Sequence, residues 1–512
     1  MSDSKHKPSS AVIVGLGRTG LSCARYLRKH GWQIAVTDTR AHPPEVEALR
    51  QLDASIPVRV GGLDTKLLDD AVCVVASPGV SLADPFFLEA KHRGLEIVGD
   101  IELFSRAVDA PVIGITGTNG KSTVTTLVGR MAERAGSKVR VGGNLGEPAL
   151  DLLGESEADA RTELYVLELS SFQLEATSSL DLTSAAVLNV SPDHLDRYAS
   201  VEDYAAAKAR IFARCDTAVI NLDDPLVVAM TKPSQRTLSF SLRPSAGADY
   251  TVADHNAPTI IAPGSDQRSG FDRRAGHDRR AARAASESVT SDNSSSAGVT
   301  SISSRPRNTT PPGSAAADRL WLVRRGELLL PLAAMKIQGL HNAANALAAL
   351  ALGEAAGLPL PVMLQELVSF TGLPHRSQWV AEIRGVTYIN DSKGTNVGAT
   401  IAAVAGMMGP LVVIAGGDGK NQDFKPLREA FRGKVRHVVL IGRDAAAIAE
   451  AISGVCPFEH CESLEDAVRT AARVAKKGDT VLLSPACASL DMFRDYTHRG
   501  AVFTQAVKEL VG

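Results

Sequence analysis

The sequence predicts an α/β protein built from parallel sheets and divided into three domains. Short β-branched runs alternate with amphipathic stretches rich in alanine and leucine, which is the pattern of strands joined by crossover helices. A chain of 512 residues exceeds what one hydrophobic core usually supports, because single domains hold roughly 100–200 residues. Two glycine-rich loops, each after a strand-like run, predict a Rossmann-like N-terminal domain and a P-loop ATPase-like central domain. A C-terminal Rossmann-like α/β domain completes the prediction.

Nine runs of β-branched and other apolar residues are predicted as buried parallel strands. In chain order they are AVIVG (11–15), QIAVTD (33–38), AVCVVAS (71–77), PVIGITG (111–117), LYVLELS (164–170), SAAVLNVS (184–191), PLVVIAGG (410–417), HVVLIG (437–442) and TVLLSP (480–485). In parallel sheets, ligands bind beyond the carboxyl ends of the strands, where the loops gather. We therefore expect the functional residues directly after these runs.

The domain boundaries are placed where this pattern breaks. Residues 1–108 form the first unit, residues 109–371 the central unit, and residues 372–512 the third, which opens at TGLPHR. Residues from about 263 to 317 are rich in serine, arginine, alanine and proline. That composition buries too little apolar surface to offset the entropy of ordering, so we predict a disordered insertion remote from the site.

Charge, hydropathy and cysteine usage exclude several classes of protein. Lysine and arginine total 55 against 57 acidic residues, so no basic field favours nucleic acid or a membrane surface as partner. The polar N-terminus lacks a signal-peptide core, and no run approaches the ~20 apolar residues of a membrane span. The six cysteines have no CxxC spacing and fit reduced thiols. These features predict a cytoplasmic protein, which we expect to be a monomer.

The strongest motif is GITGTNGKST (114–123), between a strand and a helix. Gly117 and Gly120 allow the backbone amides to converge on an anion at the helix N-terminus. Lys121 supplies a charge for the β- and γ-phosphates, and the Ser122 hydroxyl is placed to reach Mg²⁺. Ile115 stands where a strict P-loop has a small residue, so the loop is a variant. The motif predicts nucleotide binding.

Two acid–imidazole signals follow the next strands of the central domain. Glu168 ends LYVLE, where a carboxylate would face the loops and help to hold Mg²⁺. Asp193 and His194 follow the strand SAAVLNVS, and beside a nucleotide loop the imidazole is a candidate metal ligand or general base. Each residue alone is more often structural.

A second nucleotide signal, GLGRTG (15–20), matches GxGxxG, and Asp38 ends the following strand. Such an acid commonly accepts hydrogen bonds from ribose hydroxyls. Two readings of these nucleotide signals stay open: an NAD-dependent oxidoreductase, or a P-loop switch that binds nucleotide without catalysis.

Eight segments in order carry a resemblance to a known family: TGTNGKST, LELSSFQLE, NVSPDHLDRY, GLHNAANALAA, GLPHR, NDSKGTN, GGDGKN and SPACASLDMF. Together they resemble the Mur ligase family, and DTR, NDSKGTN and SPACASLDMF resemble its D-glutamate-adding branch. The resemblance implies an ATP-dependent, ADP-forming ligase that adds D-glutamate to UDP-N-acetylmuramoyl-L-alanine through an acyl phosphate, in peptidoglycan precursor synthesis. The nearest alternative is another Mur-type or folylpolyglutamate-type amide ligase.

The same resemblance assigns roles by position. Lys121, His194 and Lys208 are the catalytic residues that it implies. It implies ATP contacts at Gly117, Thr118, Asn119, Gly120, Lys121, Ser122, Thr123, Asn342, Asn345, His375, Arg376 and Asp391. Two Mg²⁺ ions are implied, one at Ser122 and Glu168 and one at His194 and a carbamylated Lys208. The UDP-substrate contacts are Thr19, Asp38, Thr39, Arg40 and Asn144, and the D-glutamate contacts are Lys393, Thr395, Lys420, Ser489 and Leu490.

Three positions qualify this assignment. On sequence alone Lys208, in the helical run YAAAKARIF, reads as a solvated lysine, so its role rests on the resemblance. Arg18 stands where the family pattern leads us to expect an apolar residue, a change that could alter uracil contacts. Tyr496 stands where the pattern has phenylalanine, near the amino-acid pocket.

Overall fold

The computed structural model describes residues 9–154, 161–191, 193–194, 197–255, 319–337, 339–407, 409–420 and 422–510. The chain divides into one unit of Met1–Thr259 with Gly313–Gly512, and a second of Ile260–Pro312. The second unit lies wholly outside the described residues, as does the insertion predicted at 263–317.

The first sheet of the described chain has five parallel strands in the order β3-β2-β1-β4-β5. Its central strand β1 is buried on both faces, as expected where helices cover a parallel sheet. The elements are β1 Ser10–Val14, α1 Arg18–Lys29, β2 Gln33–Asp38, α2 Val46–Leu52, β3 Val58–Val60, β4 Cys73–Ala76, α3 Pro85–His92, β5 Glu96–Gly99 and α4 Asp100–Ser105.

The second sheet has nine strands within the described ranges, in the order β14-β13-β12-β11-β10-β9-β6-β8-β7. Strands β6 to β12 pair in parallel, and β13 and β14 close one edge as antiparallel strands. The elements are β6 Val112–Thr116, α5 Lys121–Arg134, β7 Val139–Gly143, β8 Leu164–Glu168, α6 Ser171–Glu175, β9 Leu182–Val187, α7 Val201–Ala209, β10 Cys215–Asn221, α8 Pro225–Val228, β11 Arg236–Ser241, β12 Tyr250–Asp254, β13 Leu320–Arg324, β14 Glu327–Pro331, α9 Leu340–Ala355 and α10 Leu360–Ser369.

The third sheet, in the part of the chain after residue 377, has the strand order β15-β16-β20-β17-β18-β19. Its strands are parallel except for the edge pair β15 and β16. The elements are β15 Gln378–Ile383, β16 Val386–Asn390, α11 Val397–Gly406, β17 Leu411–Gly416, α12 Leu427–Phe431, β18 Val435–Ile441, α13 Ala445–Ala451, β19 Phe458–His460, α14 Leu464–Val474, β20 Thr480–Leu483 and α15 Tyr496–Glu509.

Helix α9 is the most deeply buried of the described helices that pack on the second sheet. Its run LHNAANALAALALGEA packs against α5 and against the strands β9 to β12, with small residues that allow a close approach. This packing brings the start of α9 to the loop before α5. No helix of the described residues is long and apolar enough to cross a membrane.

The predicted fold class is confirmed, since all nine predicted runs form strands and all nine pair in parallel. The prediction missed the antiparallel edges, β12 to β14 and β15 with β16. Edge strands are less buried than central ones, and β14 and β15 are mostly half-buried or exposed, so they lack a continuous apolar run. The three sheets fall separately within the three predicted domains, whose boundaries stay predictions.

Candidate active site

The loop between β6 and α5 is shaped by two glycines with positive φ. Gly117 has φ +150° and Gly120, which precedes the helix, has φ +83°. A β-carbon on Gly120 would lie 2.3 Å from Asn345 Oδ1, and one on Gly117 would lie 3.1 Å from Leu188 Cβ. No side chain caps α5, so the amides of its first turn are left for an anion. This backbone geometry is typical of a phosphate-binding turn.

An asparagine after β9 fixes this loop from the other side. Asn189 accepts hydrogen bonds from Thr118 N through its carbonyl at 2.9 Å and from Asn119 N through Oδ1 at 2.8 Å. Its Nδ2 donates back to the Asn119 carbonyl at 3.1 Å. The amides of Thr118 and Asn119 are therefore hydrogen-bonded to Asn189. Ser122 and Thr123 follow in the first turn of α5, where both are half-buried. Sequence reasoning missed Asn189, although it is the first residue of the segment NVSPDHLDRY.

The Lys121 ammonium folds back over the loop. Its Nζ donates to the carbonyls of Gly117 at 2.9 Å and Thr118 at 2.8 Å. Burial lowers the pKa of Lys121, and the charge of Arg376 acts in the same direction, whereas Glu168 and Asp193 oppose them. The Lys121 ammonium therefore lies at the turn, where it is influenced by the charges of Glu168, Asp193 and Arg376.

Glu168 offers an oxygen that a cation would satisfy. The side chain is 3% exposed, and Oε1 accepts a hydrogen bond from Asn144 Nδ2 at 2.7 Å. Oε2 is buried without a hydrogen-bond partner in the described structure, which is costly for a carboxylate. The described residues contain no group of three or more His, Cys, Asp or Glu side chains that could hold a metal ion. This donor set fits Mg²⁺, which favours few carboxylates together with phosphate oxygens.

His194 and Lys208 lie on either side of an aromatic cluster. His194, at φ +53°, has its ring 4.9 Å from that of Phe172 and 5.9 Å from that of Tyr204. Lys208 Nζ lies 4.3 Å from the centre of the Tyr204 ring and donates to the Gly117 carbonyl at 3.0 Å. The same carbonyl therefore receives both Lys208 and Lys121.

The interpretation of Lys208 as a solvated lysine was wrong. The side chain is 1% exposed, because α7 packs against α6 and α8 and directs Lys208 Nζ toward the end of β6 at Thr116 and Gly117. Burial, followed by the charge of Lys121, lowers the pKa of Lys208 to about 7. No carboxylate of the described residues forms an ion pair with it, so a large fraction of this amine is neutral near pH 7.

The residues predicted for the adenosine end come from two regions. Asn345 Nδ2 donates to Asn342 Oδ1 at 3.2 Å at the start of α9, where Asn345 contacts the loop at Gly120. Beyond α10, Asp391 Oδ2 accepts from Ser484 Oγ at 2.8 Å, and Oδ1 accepts from the amide of Ser377 at 3.1 Å.

Burial raises the pKa of Asp391 to about 6, although these hydrogen bonds and Arg376 oppose it. His375, at φ +61°, pairs its Nδ1 with Asn390 Nδ2 at 3.2 Å. The charge of the exposed Arg376 lowers the pKa of both Asp391 and Lys121. The segment that contains His375 and Arg376 therefore lies within electrostatic range of the loop at 117–122.

The five residues predicted for D-glutamate lie on three loops of the third sheet. Lys393, after β16, places Nζ 4.8 Å from the centre of the Tyr496 ring and donates to its hydroxyl at 3.4 Å. The other two loops pair through Asp418 and Ala488, whose amides and carbonyls exchange hydrogen bonds of 3.0 and 2.8 Å. The five positions, with their exposure, are Lys393 and Lys420 exposed, Thr395 half-buried, Ser489 buried and Leu490 exposed.

A buried arginine on α15 joins two of these loops. Arg499 is fully buried and donates to the carbonyls of Ser392, Cys487 and Ala488 and to Ser392 Oγ. Burial lowers the pKa of Arg499 to about 10. Sequence reasoning missed it, because one arginine in a polar helix reads as solvated.

The residues predicted for the UDP substrate surround a cavity of about 510 Å³, here called the interdomain cavity. It lies between the first sheet and the β7 end of the second. Its lining is Gly15, Gly17, Arg18, Thr19, Asp38, Thr39, Arg40, Ser77, Pro78, Gly79, Val80, Gly143, Asn144, Gly146, Pro148 and Gln173. All five predicted UDP-substrate residues belong to this set.

Asp38 already has protein donors on both oxygens. Oδ1 accepts from the amide and Nε of Arg40, and Oδ2 accepts from its Nη2 and from the amide of Leu16. Burial raises the pKa of Asp38, but the hydrogen bonds from Arg40 and Leu16 outweigh it and hold the pKa below its usual value. Another cavity, of about 520 Å³, lies at the amino ends of β6, β9 and β10 and contains none of the predicted site residues.

Comparisons with known proteins cover most of the chain. Residues 9–99 match the Mur ligase MurD-like N-terminal domain, residues 115–261 the Mur ligase middle domain, and residues 375–487 the Mur ligase glutamate ligase domain. The UDP-N-acetylmuramoylalanine–D-glutamate ligase of Nitrosococcus oceani is 45% identical over 98% of this chain and 97% of its own. The ligase of the same name from Pseudomonas aeruginosa is 44% identical over 98% of both chains.

Solved structures share the fold at lower identity. UDP-N-acetylmuramate-alanine ligase of Thermotoga maritima is 17% identical, with a TM-score of 0.50 over 98% of this chain and 99% of its own. UDP-N-acetylmuramoyl-L-alanyl-D-glutamate–2,6-diaminopimelate ligase is 18% identical, with a TM-score of 0.54 over 88% of this chain and 95% of its own. On the full-length identity and the three matched domains, the chain belongs to the Mur ligase family.

Proposed function

We propose that this chain is an ATP-dependent, ADP-forming ligase that joins D-glutamate to the L-alanine carboxylate of UDP-N-acetylmuramoyl-L-alanine. The observation that carries the proposal is the turn at 117–122, where an uncapped helix N-terminus and the Lys121 ammonium lie together, as polyphosphate binding requires. Relatives that bear this enzyme's name are about 45% identical over nearly the full chain. The reaction belongs to peptidoglycan precursor synthesis.

The first step is transfer of the γ-phosphoryl group. The substrate carboxylate oxygen attacks the γ-phosphorus, ADP leaves, and the product is an acyl phosphate. The loop amides hold the β- and γ-phosphates, and Lys121 exchanges its contacts with the loop carbonyls for contacts with phosphate oxygens. Ser122 and Glu168 would hold one Mg²⁺, and His194 and Lys208 a second. Bound Mg²⁺ would neutralise charge on the phosphates and on the carboxylate that approaches them.

Lys208 fits its proposed role as a carbamate. A neutral amine adds to the carbon of CO₂ and releases a proton, and the depressed pKa of Lys208 leaves much of the amine neutral near pH 7. The product is an anion in place of a cation, held beside the Gly117 carbonyl and the Tyr204 ring. That change would relieve the repulsion between Lys208 and Lys121.

The second step forms the amide bond. The amine of D-glutamate attacks the acyl carbon, the carbon–oxygen bond to phosphate breaks, and inorganic phosphate leaves with the original carboxylate oxygen. A dicarboxylate needs cationic partners, and Lys393 and Lys420 are exposed on neighbouring loops of the third sheet. The cation Arg499 donates to the Ala488 carbonyl and so holds the third loop, which contains the buried Ser489.

The test is phosphate release with UDP-N-acetylmuramoyl-L-alanine, ATP and a panel of D- and L-amino acids. We expect turnover with D-glutamate and little with any other amino acid. A strict requirement for L-glutamate, or release only with a folate acceptor, would favour the other amide ligases of this type. Change of nicotinamide fluorescence on mixing, with turnover independent of Lys121, would favour the oxidoreductase. A cytoplasmic, monomeric state stays a prediction.

A further inference from the structure

The interdomain cavity contains two guanidinium groups. That of Arg40 is paired with a carboxylate, and that of Arg18 has no such pair within the described ranges. Arg40 forms three hydrogen bonds to the Asp38 carboxylate, with Nη2 2.7 Å from Oδ2. Its charge is therefore balanced within the protein. Arg18 has no carboxylate partner among the described residues. Asp38, Arg40 and Arg18 are the charged residues of the lining, so the cavity has a net positive charge that comes from Arg18.

Arg18 lies at the first turn of a helix with no side-chain cap. It is the first residue of α1, and Gly17 before it offers no side chain to the free amides. These amides carry the positive end of the helix dipole and face a cavity that is large enough for a nucleotide. The fork of a guanidinium matches phosphate oxygens in pairs. Amides and guanidinium together provide a site for a diphosphate.

The guanidinium is already oriented across the cavity. Arg18 Nη2 donates to the carbonyl of Gly146 at 2.9 Å, in the turn after β7. This is its one hydrogen bond within the described residues, so the remaining N–H groups are available to a ligand. Asn144, two residues before Gly146, donates to Glu168. The turn that Arg18 contacts at Gly146 therefore also contains Asn144, which donates to Glu168, the carboxylate proposed to bind Mg²⁺.

We infer that Arg18 is a binding residue for the diphosphate of the UDP substrate, and this inference rests on the proposed function. The guanidinium binds the diphosphate oxygens while it keeps the Gly146 carbonyl as its anchor. Arg18 therefore sets the preference of the cavity for a nucleoside diphosphate over the uncharged nucleoside. Arg40 contributes little to that preference, because Asp38 already holds it.

The experiment measures binding of UDP and of uridine to the full chain by calorimetry, without turnover. Arg18→Leu is compared with wild type, with Arg18→Lys, and with Arg25→Leu as the matched control. Arg25 lies on the same helix and also faces the central unit, 3.8 Å from Asp151, but outside the cavity lining. Circular dichroism and thermal unfolding establish that each variant is folded.

We expect Arg18→Leu to weaken UDP binding about 10- to 30-fold, as for loss of a charged hydrogen-bonding group. Uridine binding should change less than about twofold, and Arg25→Leu should change neither ligand beyond that. Arg18→Lys should lie between, because it keeps the charge and loses the fork. UDP affinity should fall less steeply with salt in Arg18→Leu than in wild type.

Equal losses for UDP and uridine in Arg18→Leu would overturn the inference, since they would show a purely structural role. Unchanged UDP binding in that variant would overturn it as well. Either result would leave the proposed function standing, provided that wild type binds UDP and turns over UDP-N-acetylmuramoyl-L-alanine. A wild-type protein that binds no UDP would overturn both.

Discussion

Substitution of Gly120 by alanine tests the geometry of the phosphate loop directly. Gly120 has φ +83°, and its β-carbon would lie 2.3 Å from Asn345 Oδ1 and 3.3 Å from Leu188 Cδ1. Gly136, two residues beyond the end of the same helix, has φ +92° and open space within 4 Å of the corresponding position. Gly136→Ala is therefore a control with the same backbone strain and no steric contact.

The magnitude follows from these two differences. An L-residue at a left-handed φ costs about 1–2 kcal/mol, which we expect for Gly136→Ala. Gly120→Ala carries that cost and also displaces Asn345, which is 9% exposed and donates to Asn342 at 3.2 Å. Leaving the buried Asn345 amide without its partner costs about 1–3 kcal/mol. Gly120→Ala should therefore destabilise the protein by about 2–5 kcal/mol.

Urea denaturation of both variants, with calorimetric titration of ADP, measures the two effects. We expect ADP affinity to fall about 100-fold or more in Gly120→Ala, since two charged hydrogen bonds are worth about 3 kcal/mol or more. Gly136→Ala should bind ADP as wild type does. Equal destabilisation by the two variants would refute the contact with Asn345. Unchanged ADP affinity in Gly120→Ala would refute the phosphate role of the loop.

Three further predictions concern the catalytic and amino-acid sites. Lys121→Ala and Glu168→Ala should each reduce turnover below about a tenth of wild type without loss of the folded circular dichroism spectrum, because each removes a charge that contacts the phosphates or their metal. Since the pKa of Lys208 falls to about 7 in the folded chain, the folded state disfavours its protonated form. The resulting loss in the free energy of unfolding is fully present below pH 7, and it disappears as the pH rises toward the pKa of this lysine in the unfolded chain. Lys208→Met should accordingly exceed wild type in stability most at pH 6 and least at pH 9.5, measured by urea denaturation; a constant difference would contradict the assigned burial. Tyr496→Phe should keep the ring below Lys393 and change the KM for D-glutamate less than about twofold, whereas Tyr496→Ala should raise it about two- to fivefold, the value of an exposed cation–π contact. Steady-state kinetics with ATP held in excess separate the two, and equal effects would favour the hydroxyl over the ring.

The site could be predicted from sequence where backbone chemistry dominates. The spacing of Gly117, Gly120 and Lys121 between a strand and a helix leaves few conformations, so the loop follows from local rules. Glu168 could be found for a related reason, because a carboxylate at the end of an apolar strand is drawn to the ligand edge of the sheet. The burial of Lys208 could not be predicted from local pattern, because it depends on how α7 is placed relative to the end of β6, and its role came from the resemblance alone. Arg499 and Asn189 act through hydrogen bonds to loops distant in sequence.

By itself the sequence determined the parallel strands, the nucleotide turn and, through its ordered motifs, the family. The strands and the turn are set by short-range periodicity and by glycine conformations within about ten residues, whereas the family follows from the order of eight segments along the chain. Only the tertiary structure decided that Arg40 and the Leu16 amide occupy both oxygens of Asp38, that Lys208 is buried beside the Gly117 carbonyl, and that Arg18 contacts Gly146. Each of these depends on which groups meet across more than one element, and the balance of burial and charge is fixed only when those elements pack.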